Sequence, residues 1–368
     1  MIENEELQSK TIKFLRFPLI IGIVFIHTNL AEVNIGGQLW AAKGQFPIHD
    51  IFRYIVSEEL ARIAVPLFYF MSGFLFFIHT DFSFSVYKKK LERRVHTLLI
   101  PYLLWNTVVV TLFFLAQTFL SSMTSGVNKL IVEYTVSDWI GIFWDKGDYM
   151  PISYQFWFIR DLMVVDLFSP LVYLFVRHLK VIGVTFLAIS WYLGLCCPIT
   201  GFSSDAFFFF SFGAWFAVHQ HNFVSVFQPL RLPFTLLYIL IVTIATILWY
   251  NQVEAHFLIH NLGIVIGLIT IVAWTAFGIQ EGEIRCNDLL SGSSFFIYAY
   301  HIIPLALIMK IWTTLFKSPT ELTMILGYLS IPFLIVGLGI GIYVLAQKSF
   351  PRFTRLMTGG RYSYRMHA

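Results

Sequence analysis

Apolar stretches of about 20 residues, long enough to cross the roughly 30 Å hydrocarbon core of a bilayer as helices, recur from one end of this chain to the other. A backbone in lipid must satisfy its own hydrogen bonds, so only helices and closed barrels can span it. Runs of this length, without the alternation of barrel strands, select helices. Divided at polar and Pro/Gly punctuation, the sequence predicts spans at 12–30, 61–79, 98–120, 154–176, 180–200, 204–220, 233–250, 257–279, 293–312 and 321–346. Composition agrees. Charged residues make up 12% and hydrophobic residues 57%, whereas a soluble domain carries about 25% charged residues. The expected fold is all-α, a polytopic transmembrane helical bundle of about ten spans, with residues 1–368 forming a single domain. The longest loops, 31–60 and 121–153, are expected to cap one face of the bundle.

Lys and Arg counts orient the bundle. With the N-terminus in the cytoplasm, sixteen fall in cytoplasmic segments, Arg361 and Arg365 among them. Only Lys43, Arg53, Lys129, Lys146 and Lys317 fall outside. Both termini are therefore expected to be cytoplasmic. The basic residues gather at membrane edges rather than in one patch, which argues against a nucleic-acid partner. Cys196, Cys197 and Cys286 make no disulfide framework. The first apolar run follows the acidic stretch Glu3 to Glu6 and lacks a small-residue cleavage site, unlike a signal peptide.

Ionisable residues at membrane depth cost about 2.5–3.5 kcal/mol each on insertion scales, so each is a functional candidate. Arg16 and His27 are eleven residues apart in the first span. Eleven residues turn a helix by about 1100°, some 20° past three full turns, so both side chains share a face about 16 Å apart along the axis. A snorkelling Arg and an interfacial His would satisfy the same pattern. Arg62 opens the second span, and the adjacent Arg160 and Asp161 open the fourth. Neighbours on a helix point about 100° apart, so Arg160 and Asp161 are expected to reach different partners. They suit either an ion-pair network or chemistry. Ser294, Tyr298 and His301 form a polar stripe in the ninth span, which interhelical hydrogen bonding would explain. His256 and His260 have a spacing that zinc can use, but no HExxH pattern accompanies them, and no metal site is expected. The run Lys88-Lys89-Lys90-Leu-Glu-Arg93-Arg94 precedes the third span. It suits anionic lipid or the phosphates of a cytoplasmic nucleotide-bearing donor.

Five segments in order resemble acyltransferase family 3, the bacterial membrane acyltransferases that O-acetylate surface polysaccharides and related glycans. They are the Arg16 to His27 spacing, RIAVPLFYFMSGFLFF at 62–77, RRVHTLLIPYLLWN at 93–106, FWFIRDLMVVDLFSPL at 156–171 and SSFFIYAYHIIPL at 293–305. The family often carries Arg-x-x-Arg in the second cytoplasmic loop. Here the nearest versions are Lys90-x-x-Arg93 and Arg94-x-x-Thr97. The resemblance implies a multi-pass protein of a bacterial cell membrane that takes an acyl group from acyl-CoA, acetyl-CoA first among donors. The acceptor would be a glycan or a lipid-linked sugar. It implies His27 as general base, with Arg16, Arg62, Arg160 and Asp161 orienting it or stabilising an oxyanion, and Lys90, Arg93 and Arg94 holding the donor. A proton-coupled transporter or flippase is the rival reading, since internal Arg, Asp and His can line an ion path. Against it, no Gly/Pro-broken helices recur in two matching halves.

Overall fold

The computed structural model describes residues 4–35, 38–42, 44–78, 82–119, 129–195 and 197–360. Lys43, Cys196, Arg361 and Arg365 lie outside the described residues, as does part of the 121–153 loop. Among the described residues the regular structure is helical, apart from a short antiparallel pairing of Asn34–Ile35 with Gln38–Leu39. Among the described residues seven helices are long and apolar enough to cross a membrane, or eight if one bent pair counts as a single span. A shorter apolar helix, Ser204–Val218, accompanies them. Their outward faces stay apolar. Leu236, Ile239, Leu240, Ile244 and Ile247 of helix Arg231–Tyr250 are all exposed. Such a belt is costly in water and natural in lipid. The chain is a multi-pass helical membrane protein.

The first helix, Asn4–His27, packs against helices 256–280, 288–300 and 321–349, so its polar residues meet protein rather than lipid. Pro18 lies inside it and removes one ladder hydrogen bond. Where helices 64–77 and 204–218 cross, Gly73 and Gly213 let the backbones touch. A Cβ on Gly73 would sit 2.0 Å from the Phe210 carbonyl oxygen, and one on Gly213 1.9 Å from that of Phe70. Small residues at such crossings are the usual device of membrane bundles.

The structure departs from the sequence reading at three places and turns where expected at a fourth, Lys180. Residues 47–60, expected within a loop, are helical and run without a gap into the second span. Proline at the first helical position starts this stretch. Its charges are neutralised internally: Glu58 takes Arg53 at 3.3 Å and Arg62 at 2.7 Å, and buried Glu59 meets His260 at 3.2 Å. The expected span 154–176 breaks at Phe168, between Trp157–Leu167 and Ser169–Tyr192. The latter element turns back at Lys180 (φ 50, ψ −135). Val176 lies beside His219 and Trp191 beside Asp205, at opposite ends of helix 204–218, so the pieces before and after Lys180 run antiparallel. The expected span 293–312 is two helices, Asp288–Tyr300 and Ile302–Leu315, bent by 70° at His301. Pro304 accounts for this break, because its ring would collide with the Tyr300 carbonyl in a continuous helix.

Candidate active site

His27 is the last residue of the first helix and is half-buried. Two rings close around it. Tyr154 presents its hydroxyl 3.4 Å from His27 Nδ1, with the rings edge to face at 5.2 Å. The His301 ring lies 5.3 Å away, centroid to centroid. His301 is fully buried at the 70° break, and its Nδ1 is 2.7 Å from the Tyr298 carbonyl. A carbonyl only accepts, so Nδ1 carries the hydrogen and Nε2 keeps its lone pair. That Nε2 is buried with no partner among the described residues. Tyr298 is itself anchored by donating to the Gln155 carbonyl at 2.5 Å.

Arg16 stands on the same face of the first helix, towards the N-terminal end. It borders an inner cavity of about 180 Å³ that reaches Ser294 and Tyr298, and a wider one of about 440 Å³ that reaches Glu5 and Asp288. Ile12, Arg16, Leu75 and Ser291 line both, so the two adjoin along the first helix. The cavity wall on the first helix thus runs from its N-terminal end past Arg16 to Ile23, one turn short of His27. Lys13 forms an ion pair with Asp288 at the wider end.

The other candidates stand apart from this pair. Arg160 and Asp161 bind each other, contrary to expectation: Arg160 Nε and Nη2 both donate to Asp161 Oδ1, at 2.9 and 2.7 Å. The long guanidinium arm folds back along its own helix. Its Nη1 donates to the carbonyls of Trp144 and Tyr149, which ties the 142–150 segment over the bundle. Below that clamp, Thr200 and the Gly147 amide donate to Asp145 and hold its carboxyl below the usual range. Arg62 is half-exposed and bridged to Glu58. In the basic run, Lys90 donates to the Phe76 carbonyl. Arg94 contacts buried Asp166 at 3.0 Å, donates to Ser72 at 2.8 Å and borders the inner cavity. Lys88, Lys89 and Arg93 are exposed. Among the described residues no group of three or more His, Cys, Asp or Glu could hold a metal. His260 faces Glu59, and His256 its own chain at Val253.

Tyr154 escapes sequence reasoning because it precedes the helix, where no periodicity reveals a facing partner. His301 was visible only as one member of a polar stripe. The Pro304 that follows it was the signal that the stripe ends in a break.

A model of acyltransferase family 3, described as an acyltransferase domain, matches residues 10–345. The chain belongs to this acyltransferase family. The match includes Arg16, His27, Arg62, Tyr154, Arg160, Asp161, His301 and the basic run. A relative from Rhizobium meliloti (strain 1021), the succinoglycan biosynthesis protein ExoH, is 27% identical in an alignment 366 positions long that covers 96% of this chain and 92% of that protein. No solved structure matches the chain.

Proposed function

We propose that this acyltransferase moves a short acyl group from acyl-CoA, which enters along the cavities beside Arg16, to a hydroxyl of a glycan or lipid-linked sugar presented at His27. The observation that carries the reading is the row of adjoining cavities along the first helix, bordered by Arg16 and ending at Ile23, one turn before His27. Glycan as the acceptor class is supported by the relative named for succinoglycan biosynthesis. The reaction needs little else. The acceptor hydroxyl gives its proton to the free imidazole nitrogen of His27 as its oxygen attacks the thioester carbonyl. The tetrahedral oxyanion collapses, the carbon–sulfur bond breaks, and the departing thiolate takes the proton back from the imidazolium. Tyr154 orients the His27 ring through its hydroxyl, and Arg62 supplies positive charge for the oxyanion.

Ten crossings with both termini in the cytoplasm is the topology we favour. The turn at Lys180 divides one long element into two, the shorter helix 204–218 follows, and the bent pair counts once. Lys180 then lies on the cytoplasmic side with the rest of the basic residues. A bacterial cell membrane with its cytoplasmic pool of acyl-CoA is the setting this orientation requires.

Protein reconstituted in vesicles and given acetyl-CoA with a glycolipid extract of its host should release free thiol in proportion to acylated glycan. Passage of solute without thiol release would instead support the transporter reading.

A further inference from the structure

A third chamber, which the reaction above leaves unused, continues the row of cavities at the N-terminal end of the first helix. It holds about 580 Å³ and shares Glu5, Gln8, Phe74 and Ile78 with the middle chamber. The three cavities decrease in volume in order, from about 580 to 440 to 180 Å³, along one stripe of the first helix: Glu5, Gln8, Ile12, Arg16, Ile20 and Ile23. Steps of three and four keep those residues on one face. The outer bowl is the polar part, with Tyr173, Gln220, His221 and Asn222 on its far wall. One feature there has no structural use. Gln8 is only 5% exposed, lines both outer chambers, and its amide nitrogen has no hydrogen-bond partner among the described residues. A buried donor left unmade is costly, so such groups have a partner in the working state.

We propose that this bowl seats the adenine nucleotide of the donor, with the Gln8 amide reading the edge of the base. The inference rests on acyl-CoA being the donor. A large polar end and a small apolar end suit a molecule with a bulky nucleotide head and a slender pantetheine arm. A glutamine amide offers one donor and one acceptor, the complement of the adenine N6 amino group and N7. The basic run is anchored next to residues that line the bowl. Lys90 is tied to the carbonyl of Phe76, beside Phe77 and Ile78 of the bowl. Phe82, just before the basic helix Phe84–Arg94, stacks on Tyr173 at 4.6 Å. The exposed Lys88, Lys89 and Arg93 then face the donor phosphates from outside, while the base goes in.

The test compares acetyl-CoA with acetyl-pantetheine, which lacks the nucleotide, using full-length protein in host membranes. In Gln8→Leu the ratio of kcat/KM for acetyl-CoA to that for acetyl-pantetheine should fall about 10-fold, the scale of losing one bidentate base contact. Gln8→Glu keeps the size and an acceptor but loses the donor, and should lower the same ratio if the leucine variant does not fold. An unchanged ratio in a variant that still transfers from both donors would overturn the nucleotide seat and leave the acyl-CoA reading intact. No transfer by the wild-type protein from either donor would overturn both.

Discussion

Arg94 can be a strut or a ligand, and its contact with Asp166 makes the two separable. Asp166 is fully buried, and Arg94 Nε approaches it at 3.0 Å. Neither carboxylate oxygen accepts an aligned hydrogen bond among the described residues, so the contact is ionic and poorly supported. Removing one partner of a buried pair strands the other and costs about 3–5 kcal/mol. Replacing both with apolar side chains of similar volume is often neutral or stabilising, by about 1–4 kcal/mol, when the pair lacks further hydrogen bonds. Arg94→Ala should therefore lower the thermal unfolding midpoint in detergent sharply, and Arg94→Met with Asp166→Leu should restore it. The restored double variant can then be assayed with acetyl-CoA. Full recovery of KM would make Arg94 a strut; a raised KM at normal stability would make it a donor contact from the inner cavity wall. The energetic reasoning fails if Arg94→Ala is as stable as wild type, or if the double variant is no more stable than either single one.

Three further expectations follow from particular contacts. Gly73→Ala places a methyl carbon against the Phe210 carbonyl; overpacking of this kind costs about 1–3 kcal/mol, and an unchanged unfolding midpoint would contradict the close crossing. Reporter fusions at residue 140 and after the last residue should fall on opposite sides of the membrane, and both on one side would refute the ten-crossing topology. The depressed carboxyl of Asp145 contributes stability above the ordinary aspartate range that is lost as pH falls through its folded value. Protease cleavage within 142–150 should thus rise in acid, and Asp145→Asn should make it insensitive to that change.

Much of this arrangement is legible in the sequence because membranes simplify the problem. A run of apolar residues has few fates in lipid, and helical period alone puts Arg16 and His27 on one face. What stayed hidden depends on pairing across distance. Residues 47–60 read as a loop because Arg53, Glu58 and Glu59 look too polar for a helix beside a membrane. Nothing local shows that Glu58 is shared by two arginines or that Glu59 meets His260 from a helix two hundred residues away. Arg160 and Asp161 misled in the other direction, since wheel angles describe Cβ directions and ignore an arm long enough to curl back. The meeting of His27, Tyr154 and His301 joins the end of one helix, a segment before another and a proline-made break in a third. Each is an irregular point where period carries no information.

The account rests on His27 as the proton acceptor. Its direct test is transfer of label from radiolabelled acetyl-CoA to glycan in host membranes, with wild type and His27→Gln inserted to equal levels. Glutamine keeps hydrogen-bonding capacity but cannot take up a proton at neutral pH. The expected result is a loss of about 100-fold or more, the scale of removing a general base, with His27→Ala equally inactive. Retention of most of the activity by His27→Gln would contradict the account, reduce His27 to a structural partner of Tyr154, and move the search for the base to His301.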